Sequence, residues 1–183
     1  FGKRDDDPFK TWLHLGDRAP ESVKTALVEG TGANGGYLVP ALYSQAVTGG
    51  PPVRLTFGTV PATDPTVLAD GRILFVSSVP AGDSPRPQSL FTINNDGTEL
   101  SAFAAQHDGP AAVRRPRATA DGRVLFLVAG VGTPVFEGRI ESVRMARPYR
   151  SRTVVLPSSR LPCRSVEPLP SGEFLVTLGP DGS

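Results

Sequence analysis

One pattern occurs three times in this chain at a spacing of about fifty residues, and it limits the possible folds more than any other feature. Each copy has a short extended run, a turn that contains glycine and an apolar run, in residues 64–76, 115–127 and 166–176. The turn glycines, Gly71, Gly122 and Gly172, are 51 and 50 residues apart. Repeats of about 40–50 residues built from short strands are typical of β-propeller blades. The repeat therefore predicts an architecture, although it specifies no reaction.

Each repeat is predicted to contain four antiparallel strands. Asp70-Gly71 and Asp121-Gly122 each separate two extended runs, which is a strong hairpin signal because both positions of a tight turn tolerate positive φ. The predicted strands of the first repeat are residues 66–68, 72–77, 89–94 and 99–103, and the matched strands of the second are residues 123–128 and 139–143.

The chain as a whole predicts a mainly β fold, an incomplete β-propeller of about two to three four-stranded antiparallel blades with an extended, partly helical N-terminal arm. Its predicted parts are the arm at residues 1–47, a blade end at 48–58, blades at 59–105 and 110–157, and a partial blade at 160–183. Complete propellers usually have about four to eight blades, which cover the strand edges. An incomplete one favours self-association or a protein partner that completes the propeller.

The predicted boundary between Val47 and Thr48 follows from composition. All three lysines lie within the first 24 residues, whereas fourteen of the sixteen arginines follow residue 47. Lysine and arginine differ physically but usually occur together within one domain. The partition therefore indicates two segments of different origin.

Residues 1–47 are predicted to hold two short helices, at residues 9–15 and 20–27, before an extended run that begins at residue 37. Gly30, Gly32 and Gly35 have the spacing of a dinucleotide-binding fingerprint. That motif requires a strand before it and a helix after it, whereas here a predicted helix precedes it and an extended run follows. No cofactor is therefore predicted.

The same segment resembles the N-terminal region of tailed-phage major capsid proteins, on Phe9-x-x-Trp12-Leu13 and on residues 24–32 and 35–40. The resemblance implies an extended arm, capsid subunits as partners and a place in a virion. Nothing after Val47 follows the capsid pattern. Two alternatives therefore stay open: a structural virion protein with an appended β-repeat module, and a chimera or fragment of unrelated genes.

Residues 48–183 resemble TolB-type β-propeller repeats, in which a Pro-x-x-x-x-Asp-Gly-Arg-x-x-Phe element alternates with a Leu-x-x-x-x-x-Asp-Gly-Thr element. Residues 64–75 and 165–172 are most similar to the propeller region of proteins related to the hydrazine synthase alpha subunit. The resemblance implies a propeller, and a periplasmic or secreted location. It implies no enzymatic activity, because the Cys-x-x-Cys-His pattern for haem attachment is absent from the sequence.

Few side chains are candidates for chemistry. Asp70, Asp96 and Asp121 could be imagined as metal ligands, but aspartate before glycine is predicted to be a turn residue that bonds its own backbone. His107 and Asp108 are neighbours in a predicted loop, where they could orient a ligand or act as a base. A surface loop is the preferred interpretation of that pair.

The densest basic cluster is Arg114-Arg115-Pro116-Arg117, which could contact an acidic partner or a carboxylate ligand, or could lie in a solvated loop. Cys163 lies next to an arginine that could lower its pKa, although a plain unpaired thiol is the preferred interpretation. As the single cysteine, it excludes an internal disulfide and any multi-cysteine zinc site.

The preferred hypothesis is a non-catalytic binding or scaffold module of a TolB-like β-propeller protein, with no catalytic, cofactor-binding or metal-binding residue assigned. The net charge of +1 argues against a nucleic-acid surface. No apolar run reaches the roughly eighteen residues that a membrane span requires. Neither nucleic acid nor membrane is therefore a predicted partner.

Overall fold

The computed structural model describes residues 23–29, 38–57, 60–78, 87–104, 111–130, 138–157 and 163–179, and every regular element within them is a strand. In chain order the strands are β1 (Val23–Glu29), β2 (Leu38–Ser44), β3 (Val53–Arg54), β4 (Ala62–Val67), β5 (Ile73–Ser78), β6 (Gln88–Ile93), β7 (Ser101–Ala104), β8 (Ala111–Ala118), β9 (Arg123–Gly130), β10 (Gly138–Arg144), β11 (Thr153–Leu156), β12 (Cys163–Pro168) and β13 (Phe174–Leu178).

The strands form four antiparallel sheets that follow one another along the chain. The first sheet has the order β1-β2-β3, the second β4-β5-β6-β7, the third β8-β9-β10-β11 and the fourth β12-β13. Within each sheet, every strand pairs with the next one in the sequence, so the first three sheets are meanders and the fourth is a hairpin. The prediction of a mainly β fold with four-stranded antiparallel repeats is confirmed.

Successive sheets pack face to face through apolar clusters. Leu42 and Leu55 of the first sheet pack against the second, and Cys163 and Val166 of the fourth pack against the third. The largest cluster lies between the second and third sheets and has Phe126 among its fully buried side chains. Each sheet therefore buries one face on the preceding sheet, as the blades of a propeller do.

The second strands of the four-stranded sheets are buried on both faces. In β5, Ile73 and Phe75 point toward the first sheet, whereas Leu74 and Val76 point toward the third. This alternation is the period of two that a strand imposes on its side chains. A continuous apolar run is therefore required at β5 and again at β9, and this run is what makes the repeat visible in the sequence.

The sheets converge on their first strands, because β4 contacts β8 and β8 contacts β12. Each of these three strands contains a bulge, at which its register with the second strand shifts. The shifts lie between Thr63 and Thr66, between Arg114 and Arg117, and between Cys163 and Ser165. Bulges bend a strand and change the direction of its side chains. Residues that are one repeat apart therefore lie close together where the first strands of the sheets converge.

Four hairpin turns share one hydrogen-bond geometry. The N–H of Gly71 donates to the carbonyl of Leu68 at 3.0 Å, and the N–H of Leu68 donates to the carbonyl of Arg72 at 2.8 Å. Gly71 has a φ of +85°, whereas the φ of Asp70 is not positive. The turn is thus a three-residue loop closed by a glycine bulge, and the predicted tight turn with two positive φ values is wrong. The same pair of bonds recurs at Gly97, Gly122 and Gly172.

Replacement of Gly71 by alanine is expected to lower the free energy of unfolding by about 1 kcal/mol, because a residue with a Cβ is strained at this φ. No atom lies within 4 Å of the Cβ that alanine would add, so backbone strain alone accounts for the loss. Urea unfolding followed by circular dichroism measures it. Gly71→Asn is the matched control, since asparagine tolerates this backbone region better. Equal losses from both variants would contradict the glycine bulge.

The N-terminal arm differs from its prediction. Val23–Glu29 is a strand, so the helix predicted over residues 20–27 is wrong for the part that the structure describes. The strand pairs with Leu38–Ser44, and this ladder satisfies backbone groups that an isolated helix of two turns would hold only weakly. The predicted extended run continues as β2, and the helix predicted at residues 9–15 lies outside the described residues.

Strands on both sides of the predicted boundary at Val47 belong to one sheet. β2 precedes the boundary and β3 follows it, and they pair through Tyr43 and Arg54. Leu42 and Leu55 share an apolar cluster, and the N–H of Leu55 donates to the carbonyl of Leu42 at 2.8 Å. The two segments are therefore packed together here. Their different origin stays a prediction.

Candidate interaction surfaces

The three aspartates singled out in the sequence lie in hairpin turns. Asp70 Oδ1 accepts the N–H of Arg72 at 3.1 Å, and Asp96 Oδ1 accepts the N–H of Thr98 at 2.9 Å. Asp121 Oδ1 accepts the hydroxyl of Thr119 at 2.5 Å. No group of three or more potential metal ligands occurs in the part of the chain that the structure describes. The interpretation of these carboxylates as turn residues is confirmed.

Hydrogen bonds lower the pKa of each of these carboxyl groups. The largest cause is the side chain of Arg72 for Asp70, of Thr98 for Asp96 and of Thr119 for Asp121. A pKa that folding depresses contributes stability above the unfolded value, about 3.9 for aspartate, and the contribution is lost as the pH falls further. The turns are therefore expected to weaken in acid.

The basic cluster lies in a strand. Arg114, Arg115 and Arg117 belong to β8 and are partly buried, and Pro116 between them is buried. The alternative of a solvated loop is therefore wrong. The cluster occupies the first strand of the third sheet, where pairing with β9 and contact with the neighbouring sheets remove it from water.

Side chains at the bulges join the first strands of neighbouring sheets. Asp64 and Arg115, which are one repeat apart, have φ values of +51° and +49°. The N–H of Arg115 donates to Asp64 Oδ2 at 3.1 Å, and Arg115 Nη1 donates to the carbonyl of Arg164 at 2.7 Å. A proline follows each bulged residue, Pro65 and Pro116, and leaves no N–H to be satisfied there. The first strands of three sheets are thus bonded in series.

The remaining arginines of this region differ in their partners. Arg117 Nε donates to Glu167 Oε2 at 3.1 Å, and its Nη1 donates to the carbonyl of Pro116 at 2.9 Å. Arg164 Nε is buried and has no hydrogen-bond partner among the described residues. It lies directly under Gly179, where an added Cβ would be 2.0 Å from it. The two arginines therefore differ: Arg117 has a carboxylate partner, whereas Arg164 Nε lies against the backbone of Gly179.

A buried carboxylate stands apart from this region, in β10. Glu141 is 2% exposed. Its Oε1 accepts Arg139 Nε at 2.5 Å, and its Oε2 accepts Arg152 Nε. The guanidinium carbon of Arg152 lies 6.0 Å from the centroid of the Phe126 ring, and desolvation lowers the pKa of Arg152. The carboxylate is thus held between two arginines.

The equivalent place in the second sheet is apolar. Phe91 lies 50 residues before Glu141 and stacks on Phe75, with 6.1 Å between ring centroids. The third sheet therefore has an ion triad where the second has an aromatic pair. The aromatic pair lies between β5 and the first sheet, and the ion triad lies at the equivalent position between β9 and the second sheet.

The fourth sheet exposes an apolar side chain at a position that is buried in the second and third sheets. Leu74 and Leu125 occupy matched positions in β5 and β9, where they are 0% and 5% exposed because the next sheet covers them. Leu175 occupies this position in β13 and is 59% exposed. Within the described residues, β13 pairs with β12 alone. The described residues therefore leave one face and one edge of the fourth sheet uncovered.

A groove of about 640 Å³ lies between the third and fourth sheets, lined by Ser142, Val155 and Phe174 and by the turns at Asp121 and Gly172. At the interface between the second and third sheets, the residue equivalent to Val155 is Phe103. Phe103 is 4% exposed, whereas Val155 is 36% exposed. Met145 packs on that preceding interface from the turn between β10 and β11. Between the second and third sheets, outer-strand side chains and the turn at Met145 fill the equivalent space. The groove is thus the unfilled counterpart of that space between the third and fourth sheets.

Cys163 is a free, fully buried thiol within the cluster between the third and fourth sheets. Burial raises its pKa, so the possibility of a lowered pKa is wrong and the interpretation as a plain unpaired thiol is confirmed. His107 and Asp108 lie outside the described residues. Among the described residues, no helix has the length and apolar character needed to cross a membrane.

The sheets, their shared first-strand side and their repeat define a β-propeller-like fold. No protein-family model matches the chain, and no curated protein matches it. Hydrazine synthase of Kuenenia stuttgartiensis is similar, with 17% identity and a TM-score of 0.72, over 87% of this chain and 25% of that chain. TolB from Agrobacterium tumefaciens is similar, with 18% identity and a TM-score of 0.60, over 87% of this chain and 55% of that chain.

At these identities the likeness shows the fold alone. The chain spans a quarter of the length of the first structure and just over half of the second. The resemblance to TolB-type propellers and to hydrazine synthase is confirmed at the level of the fold. The resemblance of residues 1–47 to phage capsid proteins is not shown.

Proposed function

We propose that this protein is a non-catalytic binding or scaffold module of the TolB-like propeller type, whose open fourth sheet is covered by a protein partner or by a second copy of the chain. The observation that carries the proposal is the exposure of Leu175, 59% against 0% and 5% for the two leucines at its repeat-equivalent positions. The repeat-equivalent leucines Leu74 and Leu125 are buried because another sheet follows theirs along the chain and covers them.

Burial of Leu175 favours association. Covering a leucine side chain stabilises a complex by about 1.5–3 kcal/mol. The unpaired edge of β13 offers backbone N–H and carbonyl groups to an added strand, as in β-augmentation. The groove beside Val155 gives such strands a place to pack. An added antiparallel pair would thus extend the fourth sheet to the size of the second and third.

Replacement of Leu175 by glutamate is expected to weaken association at least about tenfold, because a charge is then buried against apolar surface. Sedimentation velocity over a wide concentration range measures self-association, and the same runs with added candidate proteins measure hetero-association. Leu100→Glu is the matched control, since Leu100 is also exposed but lies just before β7, after the turn at Gly97. Equal effects of both variants would contradict the proposal.

The non-catalytic part of the proposal has its own test. The carboxylates of Asp70, Asp96 and Asp121 are engaged in turn hydrogen bonds, which supports a structural role for them. We expect the purified chain to turn over neither ester, peptide nor redox substrates in a broad panel. Turnover that survives further purification and is lost on substitution of one residue would contradict this part.

A further inference from the structure

The turn between β10 and β11 carries three exposed arginines. We call Arg144, Arg147 and Arg150 the arginine turn, and all three residues are exposed. The N–H of Arg147 donates to the carbonyl of Arg144 at 3.1 Å, and the N–H of Arg150 donates to the carbonyl of Arg147 at 3.1 Å. Two successive β-turns therefore bring the Cα of each arginine within about 7 Å of the next one.

The arginine turn has no carboxylate partner within the part of the chain that the structure describes. None of its three guanidinium groups forms a hydrogen bond or an ion pair there. The buried carboxylate of Glu141 is already held by Arg139 and Arg152, which lie on either side of the turn in the sequence. Three positive charges so close together repel one another. The turn therefore gains from the approach of an anion.

The arginine turn is fixed in place before any partner arrives. Ser151 Oγ accepts the N–H of Arg144 at 2.8 Å and donates to the carbonyl of Arg147 at 2.7 Å. The hydroxyl of Tyr149 donates to the carbonyl of Ala102 in β7 at 2.8 Å, while the residue stays 59% exposed. A loop that is already ordered loses less entropy on binding, and tyrosine and arginine are enriched at protein interfaces.

The neighbouring turn of the second sheet decides which kind of anion fits. Asp96 and Glu99 lie in the turn between β6 and β7, and Glu99 is three residues before Ala102, to which Tyr149 bonds. Nucleic acid binds through a continuous basic surface, because its phosphates continue in both directions. The acidic turn interrupts such a surface beside the arginine turn. A short acidic protein segment requires only the three arginines.

The spacing of the arginines suits an extended segment. Alternate side chains of an extended chain point to one side and are about 6.4–6.8 Å apart, which is close to the Cα spacing in the arginine turn. The planar fork of a guanidinium group matches a carboxylate in two-point contact. We infer that the arginine turn is a docking surface for an extended acidic segment of a protein partner, with glutamate or aspartate at alternate positions. This inference goes beyond the proposed function, since it concerns the third sheet and not the open face at Leu175.

An NMR titration of the isotope-labelled chain tests the inference with three probes: a terminally blocked Glu-Gly-Glu-Gly-Glu peptide, its glutamine counterpart and a hexathymidylate DNA strand. We expect the acidic peptide to shift the amide signals of the arginine turn and the glutamine peptide to leave them unchanged. Arg147→Gln should raise the Kd of the acidic peptide about threefold, and substitution of all three arginines about thirtyfold. Arg72→Gln is the control, since it removes one positive charge from a hairpin turn in which Arg72 is paired with Asp70.

The inference is wrong if the acidic peptide leaves these signals unchanged, or if the glutamine peptide or the DNA strand binds there as tightly. It is also wrong if Arg72→Gln raises the Kd as much as Arg147→Gln. Without peptide, Arg147→Gln is expected to keep or raise the Tm, because it relieves repulsion, whereas Ser151→Ala removes two hydrogen bonds of the turn and lowers it. Equal losses of Tm would assign the arginine a structural role and overturn the inference. Leu175→Glu should leave peptide binding unchanged, so the two proposals can fail separately.

Discussion

Replacement of Phe126 by alanine is expected to remove about 3–5 kcal/mol of folding free energy, because it deletes a fully buried ring from the cluster between the second and third sheets. A domain of this kind has about 5–15 kcal/mol in total, so the variant loses a large fraction of its stability. Loss of the ring also removes the face on which the guanidinium of Arg152 lies. Urea unfolding followed by circular dichroism gives the difference.

Phe57→Ala is the control for this prediction. Phe57 is 75% exposed, and surface substitutions usually change stability by less than about 0.5 kcal/mol. Comparable losses from Phe57→Ala and Phe126→Ala would show that the faces of the second and third sheets are not packed through this cluster.

Substitution of Glu141 by glutamine is expected to destabilise the fold by about 3 kcal/mol, because it removes a buried carboxylate that is paired with both Arg139 and Arg152. Much of that cost arises because the partly buried guanidinium of Arg152 loses the ion pair with Glu141 that offsets its desolvation. The free energy of unfolding from urea titration measures the effect.

The second sheet supplies a matched rescue. Its residues at the three equivalent positions are Ser89, Phe91 and Leu100, and a variant that carries Arg139→Ser, Glu141→Phe and Arg152→Leu reproduces them. Replacement of a whole buried ion group by apolar residues is often neutral or stabilising, so this variant should recover most of the loss. A triple variant no more stable than Glu141→Gln would mean that the two sheets do not share equivalent sites.

The strands and turns of the repeats could be predicted because their signals are local. Asp70-Gly71 and Asp121-Gly122 mark hairpins by themselves, and the apolar runs of β5 and β9 follow from burial on both faces. The turn type escaped prediction. Asp-Gly suits both a two-residue turn and a three-residue turn with a glycine bulge, and the register of the flanking strands decides between them.

The strand at Val23–Glu29 could not be predicted from its own residues. Its short apolar spacing suits a helix as well as a strand, and pairing with β2 decides in favour of the strand. The basic cluster at residues 114–117 was misplaced for a similar reason. Three arginines beside a proline suggest a solvated loop, whereas their place in a strand depends on β9 and on contacts one repeat away. Contacts with a neighbouring strand or with residues one repeat away cannot be recognised from the sequence of one segment alone.

Two features of the candidate surfaces could have been predicted by aligning the repeats with one another. Aligning the repeats places Glu141 opposite Phe91, and a carboxylate at an aromatic position indicates a buried ion group. The same alignment places Asp64-Pro65 opposite Arg115-Pro116, which marks the repeated bulge.

The serial bonds from Asp64 to Arg115 and from Arg115 to Arg164 span 51 and 49 residues, close to one whole repeat each. In both bonds the side chain at the bulge of one unit contacts the backbone of the next unit. A gene duplication that added one complete unit could keep this side-chain-to-backbone contact. An insertion within one of these first strands would set a bulge against a plain strand, so changes in length are expected to fall in the loops or to comprise whole units.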